Sequence, residues 1–337
     1  MKAVAYSIKP FEKEFLAKAN QKKHEITLIS NPLNIETAIY AEGKDAIIVF
    51  TNDDVSATVI DKLAELGVKY IVTRSVGTDH IDKEAAAKYA IKLSNVPSYS
   101  PQAIAEHAVA LAMVLNRKLI KADHNSHVFD FRNDGLIGFN FSGKTVGIIG
   151  LGKTGMATAE IFKGLGCKVI GYDEFLPAGD HNILRASLDD LLASSDIISL
   201  HLPLTPNTRH FIQKSTLDKM KDGVMLINTS RGAIIKTTDL LLALESRKLG
   251  YLAMHVYEYE KGLFFEDHQN DTDKDPLILN LLARENVIIT PHQAYLTQEA
   301  LQEIANQTIH NLDMWQQDKC IGKACICAKD CRATQLK

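Results

Sequence analysis

The sequence predicts an α/β protein made of two doubly wound parallel-sheet domains, one inserted into the other. Three observations carry this. The 337 residues exceed the roughly 250–300 at which a single core stops growing. Short β-branched runs alternate with helical stretches, the pattern of parallel pairing. The last helical stretch, beginning at Thr297, is more like the first block than another βα unit. The outer domain is therefore expected over residues 1–99 and 297–337, and the inserted one over 100–296.

In the first block the apolar runs fall at residues 3–6, 26–29, 46–50 and 70–73, with Lys- and Glu-rich helical segments at 11–22 and 56–66. Strands buried on both faces read as continuous apolar runs. Ser100-Pro101 is a helix start, because Pro needs no N–H partner in the first turn. Ile104, Ala108, Leu111 and Leu115 follow at helical spacing. The second block predicts six strands, at 146–149, 168–171, 197–200, 224–227, 252–256 and 287–289. Their starts lie 22 to 35 residues apart, as βα units require. Helices fit between at 156–165, 188–193 and 238–247, and a last one runs from 297 to about 317.

Composition excludes several classes. Hydrophobic residues make up 46% and charged residues 23%, ordinary for a globular protein and unlike a disordered or coiled-coil chain. The net charge of −3 comes without a large basic block, which argues against nucleic acid as a partner. The N-terminus is too polar for a signal peptide. No stretch reaches the roughly 18 apolar residues a membrane span needs. Five cysteines, an odd count in a long chain, suggest a reducing, cytoplasmic setting. Four of them, Cys320, Cys325, Cys327 and Cys331, crowd the end in a spacing unlike a zinc site, and a solvated tail without metal is expected. His124 and His127 beside Asp123 read as a solvent-facing helix pair rather than ligands.

Gly150-Leu151-Gly152-Lys153-Thr154-Gly155 matches G-x-G-x-x-G. Alone the motif is weak. Here it directly follows a strand and opens an Ala- and Ile-rich helix, the context that gives it meaning. The first glycine allows the turn, the second lets backbone approach a pyrophosphate, and the third lets helix and strand pack. The helix N-terminus then favours the anion. Asp173 ends the next strand, 18 residues after Gly155. A carboxylate there accepts ribose hydroxyls and repels a 2′-phosphate, and no Arg lies nearby before Arg185. NAD is therefore the expected cofactor.

Ligands of open α/β sheets bind beyond the carboxyl ends of the strands. Arg231 follows the strand at 224, Glu258 and Glu260 follow that at 252, and His292 follows that at 287. The trio suits hydride transfer to a 2-keto acid. Arg231 can hold a carboxylate with two parallel bonds. His292 can give and retake the proton of the keto oxygen. Glu260 can orient His292 and favour its charged form. Singly, each has a bland alternative: a surface loop Arg, a solvated acid, a helix-terminal His. Their joint placement after three strands of one sheet favours the site.

These residues resemble the D-2-hydroxyacid dehydrogenases, and within them the fermentative D-lactate dehydrogenases, over about residues 1–318. The most specific pieces are Asn228-Thr229-Ser230-Arg231-Gly232, Val256-Tyr257-Glu258-Tyr259-Glu260 with Phe264-Phe265-Glu266-Asp267 behind it, and Pro291-His292-Gln293-Ala294-Tyr295-Leu296-Thr297. The resemblance implies Arg231, Glu260 and His292 as catalytic residues. It implies that Val76 and Gly77 grip the substrate carboxylate through backbone N–H groups, with Tyr99 and Tyr295 facing the substrate. Two aromatics imply a small substrate end, hence pyruvate. It further implies His201, Leu202, Pro203, Thr229 and Ser230 against NAD. The implied fold is a flavodoxin-like catalytic domain interrupted by a Rossmann NAD-binding domain, with a cleft that closes on substrate. A homodimer or homotetramer is implied too, with the helix near 100–120 as a candidate interface.

One departure stands out. The family usually has Asp ahead of Val-Tyr-Glu, contacting the nicotinamide carboxamide, and this chain has His255. Neutral imidazole accepts one hydrogen bond but can also carry charge, so weaker or more pH-dependent cofactor use is expected. Two alternatives to a D-lactate dehydrogenase remain. One is a dehydrogenase for hydroxypyruvate or a branched or aromatic keto acid. The other is an NAD(H)-sensing protein like the co-repressors that share this fold.

Overall fold

The computed structural model describes residues 1–175 and 183–328, and Cys331 lies outside them. The chain forms two compact units, Met1–Ser100 with Leu296–Lys337, and Pro101–Tyr295.

The first unit holds a parallel sheet of β1 (Lys2–Ala5), β2 (Glu25–Leu28), β3 (Ala46–Val49), β4 (Tyr70–Thr73) and β5 (Lys92–Ser94). Their order is β2-β1-β3-β4-β5. Successive strand residues face opposite sides. Val4, Ile47, Val49 and Ile71 enter one core with helices Ala57–Glu65 and Lys83–Lys88. Ala3, Ala5, Ala46, Ile48 and Val72 enter the other with helices Glu12–Asn20 and Gln298–Gln316. The last helix therefore belongs to this unit. Thr297 caps its start by accepting a hydrogen bond from Ala300 N. Trp315, 3% exposed, stacks on Tyr70 with ring centroids 4.9 Å apart. Truncating so buried an aromatic costs about 3–5 kcal/mol.

β5 has only three residues and gave no sequence signal. It also corrects the expected solvated tail. Asn95 N donates to Ala324 O at 3.0 Å and Ile326 N to Leu93 O at 3.2 Å, with an antiparallel bridge between Ser94 and Cys325. Ala324 is buried, and Ile326 and Cys327 pack on the adjacent core. The segment covers what would otherwise be an open sheet edge. Cys325 is disulfide-bonded, while Cys167, Cys320 and Cys327 are free thiols.

The second unit holds β6 (Thr145–Ile149), β7 (Lys168–Tyr172), β8 (Leu184–Arg185), β9 (Ile197–Leu200), β10 (Val224–Asn228), β11 (Leu249–Met254) and β12 (Val287–Ile289). All pair in parallel in the order β12-β11-β10-β9-β6-β7-β8. The sheet has seven strands rather than six, because the two-residue β8 is too short to show a pattern. β11 starts and ends earlier than the 252–256 run suggests. Tyr257 is buried against the core beside Phe264, so its apolar neighbourhood extends past the last paired residue.

Helix Pro101–Asn116 buries Ala105, Ala108, Leu111, Ala112 and Leu115 within this unit. Ile104, Met113 and Val114 of the same helix are only half-buried. A run of exposed apolar side chains follows it: Leu119, Ile120, Val128, Phe129, Phe131 and Ile137. His124 and His127 sit on helix Leu119–His127, which buries no residue. Among the described residues no helix is long and apolar enough to cross a membrane, and no group of three or more His, Cys, Asp or Glu could hold a metal ion.

Candidate active site

The nucleotide cradle begins at the end of β6. Gly150 has φ +93°, and a Cβ there would lie 2.2 Å from His201 O. Only glycine fits so close an approach of β6 to the loop after β9. Gly152 caps helix Lys153–Gly164 without a side-chain cap, and a Cβ on it would meet nothing within 4 Å. Lys153 and Thr154 form the first turn. The result is an open helix N-terminus facing free space, the setting for a phosphate. Asp173 follows β7. Its Oδ2 accepts from Leu151 N at 2.8 Å and its Oδ1 from Phe175 N at 2.9 Å. The Leu151 N bond sets this carboxylate beside the glycine turn, where a ribose would follow the pyrophosphate. Thr229, after β10, has a buried hydroxyl with no hydrogen-bond partner among the described residues. These features fit a dinucleotide.

The loop at His201, Leu202 and Pro203 is fixed from below. His201 N donates to Ile149 O at 2.7 Å, and His201 Nε2 lies 2.9 Å from Ser199 Oγ. Burial pushes the His201 pKa down to about 4. Ser230 joins this fixture: its hydroxyl donates to Leu200 O and accepts from Leu202 N at 3.2 Å. It holds the loop, with one acceptor lone pair of the hydroxyl beyond these two bonds.

Three strand ends bring the proposed catalytic side chains to one edge of the second sheet. Arg231 follows β10 in extended backbone, and its Nη1 donates to its neighbour Ser230 O at 2.8 Å. A Cβ on Gly232 would lie 2.0 Å from Tyr257 O, so the Arg231 turn packs directly on the chain leading to Glu260. Glu260 Oε2 accepts from Tyr257 N at 3.0 Å, and its Oε1 lies 3.2 Å from His292 Nδ1. With Nδ1–H donating to Glu260, Nε2 is the ring nitrogen left to exchange a proton. The His292 and Glu260 side chains are 14% and 26% exposed.

Sequence alone offered two glutamates after β11, and the structure separates them. Glu258 accepts from Thr237 N at 2.9 Å and pairs with His210 Nε2 at 2.6 Å. It is a structural group that ties two loops together.

His255 also departs from expectation. It is 2% exposed. Its Nε2 accepts from Ala294 N at 3.2 Å and its Nδ1 lies 3.0 Å from Thr290 Oγ1. Burial first, then the charges of His292, His107 and Arg231, hold its pKa at about 2. It gains no charge near neutrality, and neither ring nitrogen is free for a carboxamide. Thr290 and His107, its neighbours, drew no attention in the sequence. Only a contact across the sheet could have revealed them.

The remaining candidates lie in two places. Val76 and Gly77 follow β4 in the first unit, and among the described residues their N–H groups donate to no partner. Their loop is held by Ser75 Oγ, which donates to Gly77 O at 2.7 Å, and by Asn95 Nδ2, which donates to Val76 O at 2.8 Å. Tyr99 is half-buried at the end of that unit, and Tyr295 is 7% exposed at the end of the second.

Residues 109–294 match the family described as D-isomer specific 2-hydroxyacid dehydrogenase, NAD binding domain. The chain is 44% identical to a D-lactate dehydrogenase, kk1H, of Curvularia clavata, over 94% of this chain and 92% of that one. Among solved structures it is similar to the pyruvate reductase of Chlamydomonas reinhardtii, with a TM-score of 0.89, 41% identity and coverage of 96% and 98% of the two chains. It is also similar to the D-lactate dehydrogenase of Aquifex aeolicus complexed with NAD and lactic acid. There the TM-score is 0.84 and the identity 30%, over 94% and 96% of the chains. The open helix start at Gly152, the acid at Asp173 and the Arg231, Glu260 and His292 edge thus sit in a chain that belongs to the D-isomer specific 2-hydroxyacid dehydrogenases and uses NAD.

Proposed function

We propose that the protein is an NAD-dependent D-lactate dehydrogenase that interconverts pyruvate and D-lactate. One observation carries the reading: Arg231, Glu260 and His292 share the carboxyl edge of the NAD-binding sheet, with His292 Nδ1 3.2 Å from Glu260 Oε1. NADH, when bound, supplies a hydride to the keto carbon. As that carbon is reduced, the C=O electron pair moves to oxygen, which takes a proton from His292 Nε2. Glu260 holds the ring in the tautomer that leaves Nε2 for this exchange. Arg231 binds the substrate carboxylate through its fork of N–H donors. The amides of Val76 and Gly77 in the first unit suit a carboxylate, and Tyr99 and Tyr295 suit a methyl-sized end. In the reverse direction His292 takes the proton back.

The outer unit serves as substrate-binding domain in this reading, and Gly150, Gly152, Lys153, Thr154, Gly155, Asp173 and Thr229 serve NAD. The working form is a cytoplasmic homodimer or homotetramer, with no nucleic-acid or membrane partner. Sedimentation of the purified chain tests the assembly.

NADH oxidation with pyruvate, hydroxypyruvate, phenylpyruvate and branched keto acids tests the substrate, and chiral analysis tests the product. The reading expects pyruvate to have the highest kcat/KM and D-lactate to form. A preference for a larger keto acid or for hydroxypyruvate would replace the substrate. A kcat below about 0.01 s⁻¹ with all of them, against a typical 1–10³ s⁻¹, would favour an NAD(H)-sensing protein.

A further inference from the structure

A chain of hydrogen bonds runs behind the turn that carries His292, entirely within the second unit. Ala294 N lies 3.2 Å from His255 Nε2. A backbone N–H can only donate, so Nε2 holds a lone pair there. The proton of the neutral His255 ring is therefore on Nδ1, 3.0 Å from Thr290 Oγ1. The Thr290 hydroxyl accepts it and turns its own proton to His107 Nε2, 3.1 Å away. One amide thus fixes the direction of the whole chain.

The main chain joins the same arrangement. His292 N donates to His255 O at 3.0 Å, and Thr290 N donates to Met254 O at 2.9 Å. The His255 ring therefore clips both ends of residues 290–294, with His292 between them. His292 has φ +50°, a left-handed conformation uncommon outside Gly, though His adopts it more often than most residues. The His255 ring stands edge-on to His292, with centroids 5.2 Å apart, and to His107 at 4.7 Å.

We infer that His255 is a positioning residue for His292: an uncharged clip that holds the 290–294 turn through both ring nitrogens and acts through that turn rather than on the cofactor. The inference rests on His292 being the proton donor of the proposed reaction. The charged and titratable groups facing His255 are His292, His107 and Arg231, and His292 also faces Glu260. A cation at 255 would stand among other cations and would lose the Ala294 bond. A carboxylate at 255 could accept from Ala294 and Thr290, but would place a second negative charge beside His292. A neutral imidazole keeps the clip and leaves Glu260 as the one carboxylate on His292.

Two measurements on the full-length protein test this. Ring-nitrogen NMR without cofactor should find His255 as the neutral Nδ1–H tautomer from pH 5 to 8. An imidazolium, or the Nε2–H tautomer, would overturn the inference. The second measurement takes kcat, KM for pyruvate, and NADH binding by fluorescence. His255→Ala should lower kcat about 10–100-fold with the NADH Kd changed less than about twofold. Thr290→Val, a milder change should His255→Ala fail to fold, should lower kcat by about threefold to tenfold in the same pattern. His255→Asp keeps an acceptor for Ala294 N and should retain more kcat than His255→Ala. A tenfold weaker Kd for NADH with kcat unchanged would make His255 a cofactor residue, and a kcat in His255→Asp no higher than in His255→Ala would also contradict the inference. If the wild-type chain reduces no keto acid, the proposed function fails, while the tautomer still decides the clip.

Discussion

The carboxyl edges of the two sheets use charge in opposite ways. In the first unit, Arg74 follows β4 and is 1% exposed, paired with the buried Glu12 and donating to Tyr6 O at 2.7 Å. Its guanidinium lies 5.2 Å over the Phe50 ring. Asp53 is buried with hydrogen bonds from Ser7 Oγ, Leu33 N and Phe50 N. Charge there is consumed inside the fold, and the Val76 and Gly77 amides are what the edge presents. In the second unit, Arg231, Glu260 and His292 remain partly exposed, while the uncharged His255 supports them from within. A charged residue at a strand end is therefore no site by itself. Burial and pairing decide whether it builds the fold or meets a ligand.

The contrast can be broken first at Arg74. Arg74→Met strands a buried carboxylate, and removing one partner of a buried pair costs about 3–5 kcal/mol. Urea unfolding should show a loss of that order, and Arg74→Met with Glu12→Leu should recover part of it. A loss under about 1 kcal/mol would mean the pair is dispensable. The corresponding change at the other edge should touch function and spare stability. Arg231→Lys replaces a bidentate fork with a point charge. It should lower kcat/KM for pyruvate by about 10–100-fold, as expected for losing a charged hydrogen bond of roughly 1.5–3 kcal/mol, with the thermal midpoint unchanged.

Acid sharpens the comparison. In the second unit, burial lowers the pKa of His201 to about 4, of His255 to about 2, and that of His107 as well. Unfolded histidine binds its proton below about 6.5, and the folded unit resists, so stability falls as pH drops from there. Each such histidine costs about 1.4 kcal/mol per pH unit once below that value. In the first unit His24 is lowered by burial, but its bond to Asp313 works against this. Burial raises the Asp53 carboxyl, which adds stability as pH falls through the carboxylate range. Hydrogen exchange at pH 5 against pH 7 should lose protection first in residues 101–295. Equal loss in both units would contradict the contrast.

Much of this was legible in the sequence. The strand cadence of the second block, the glycine motif with Asp173, and three residues at successive strand ends are local patterns, read without knowing the fold. What failed was short or remote. β5 and β8 have three and two residues, too few to show alternation. The segment after residue 320 looked like a free tail because its partner, β5, is more than two hundred residues away. Glu258 and Glu260 were indistinguishable by position, and His210 and Thr237 separate them only in space. His255 was visible as a departure, but its role depends on Thr290, Ala294 and His107, which no spacing rule connects.

The pair at the centre of the account is Glu260 and His292, and the kinetics of pyruvate reduction by Glu260→Gln test it most directly. Glu260 Oε1 lies 3.2 Å from His292 Nδ1 and leaves Nε2 to donate the proton. Glu260→Gln keeps the shape and removes the charge. The expected result is a kcat lower by about 10–100-fold with NADH binding unchanged. A kcat equal to that of the wild type would mean that His292 and Glu260 do not act as the proton-donating pair.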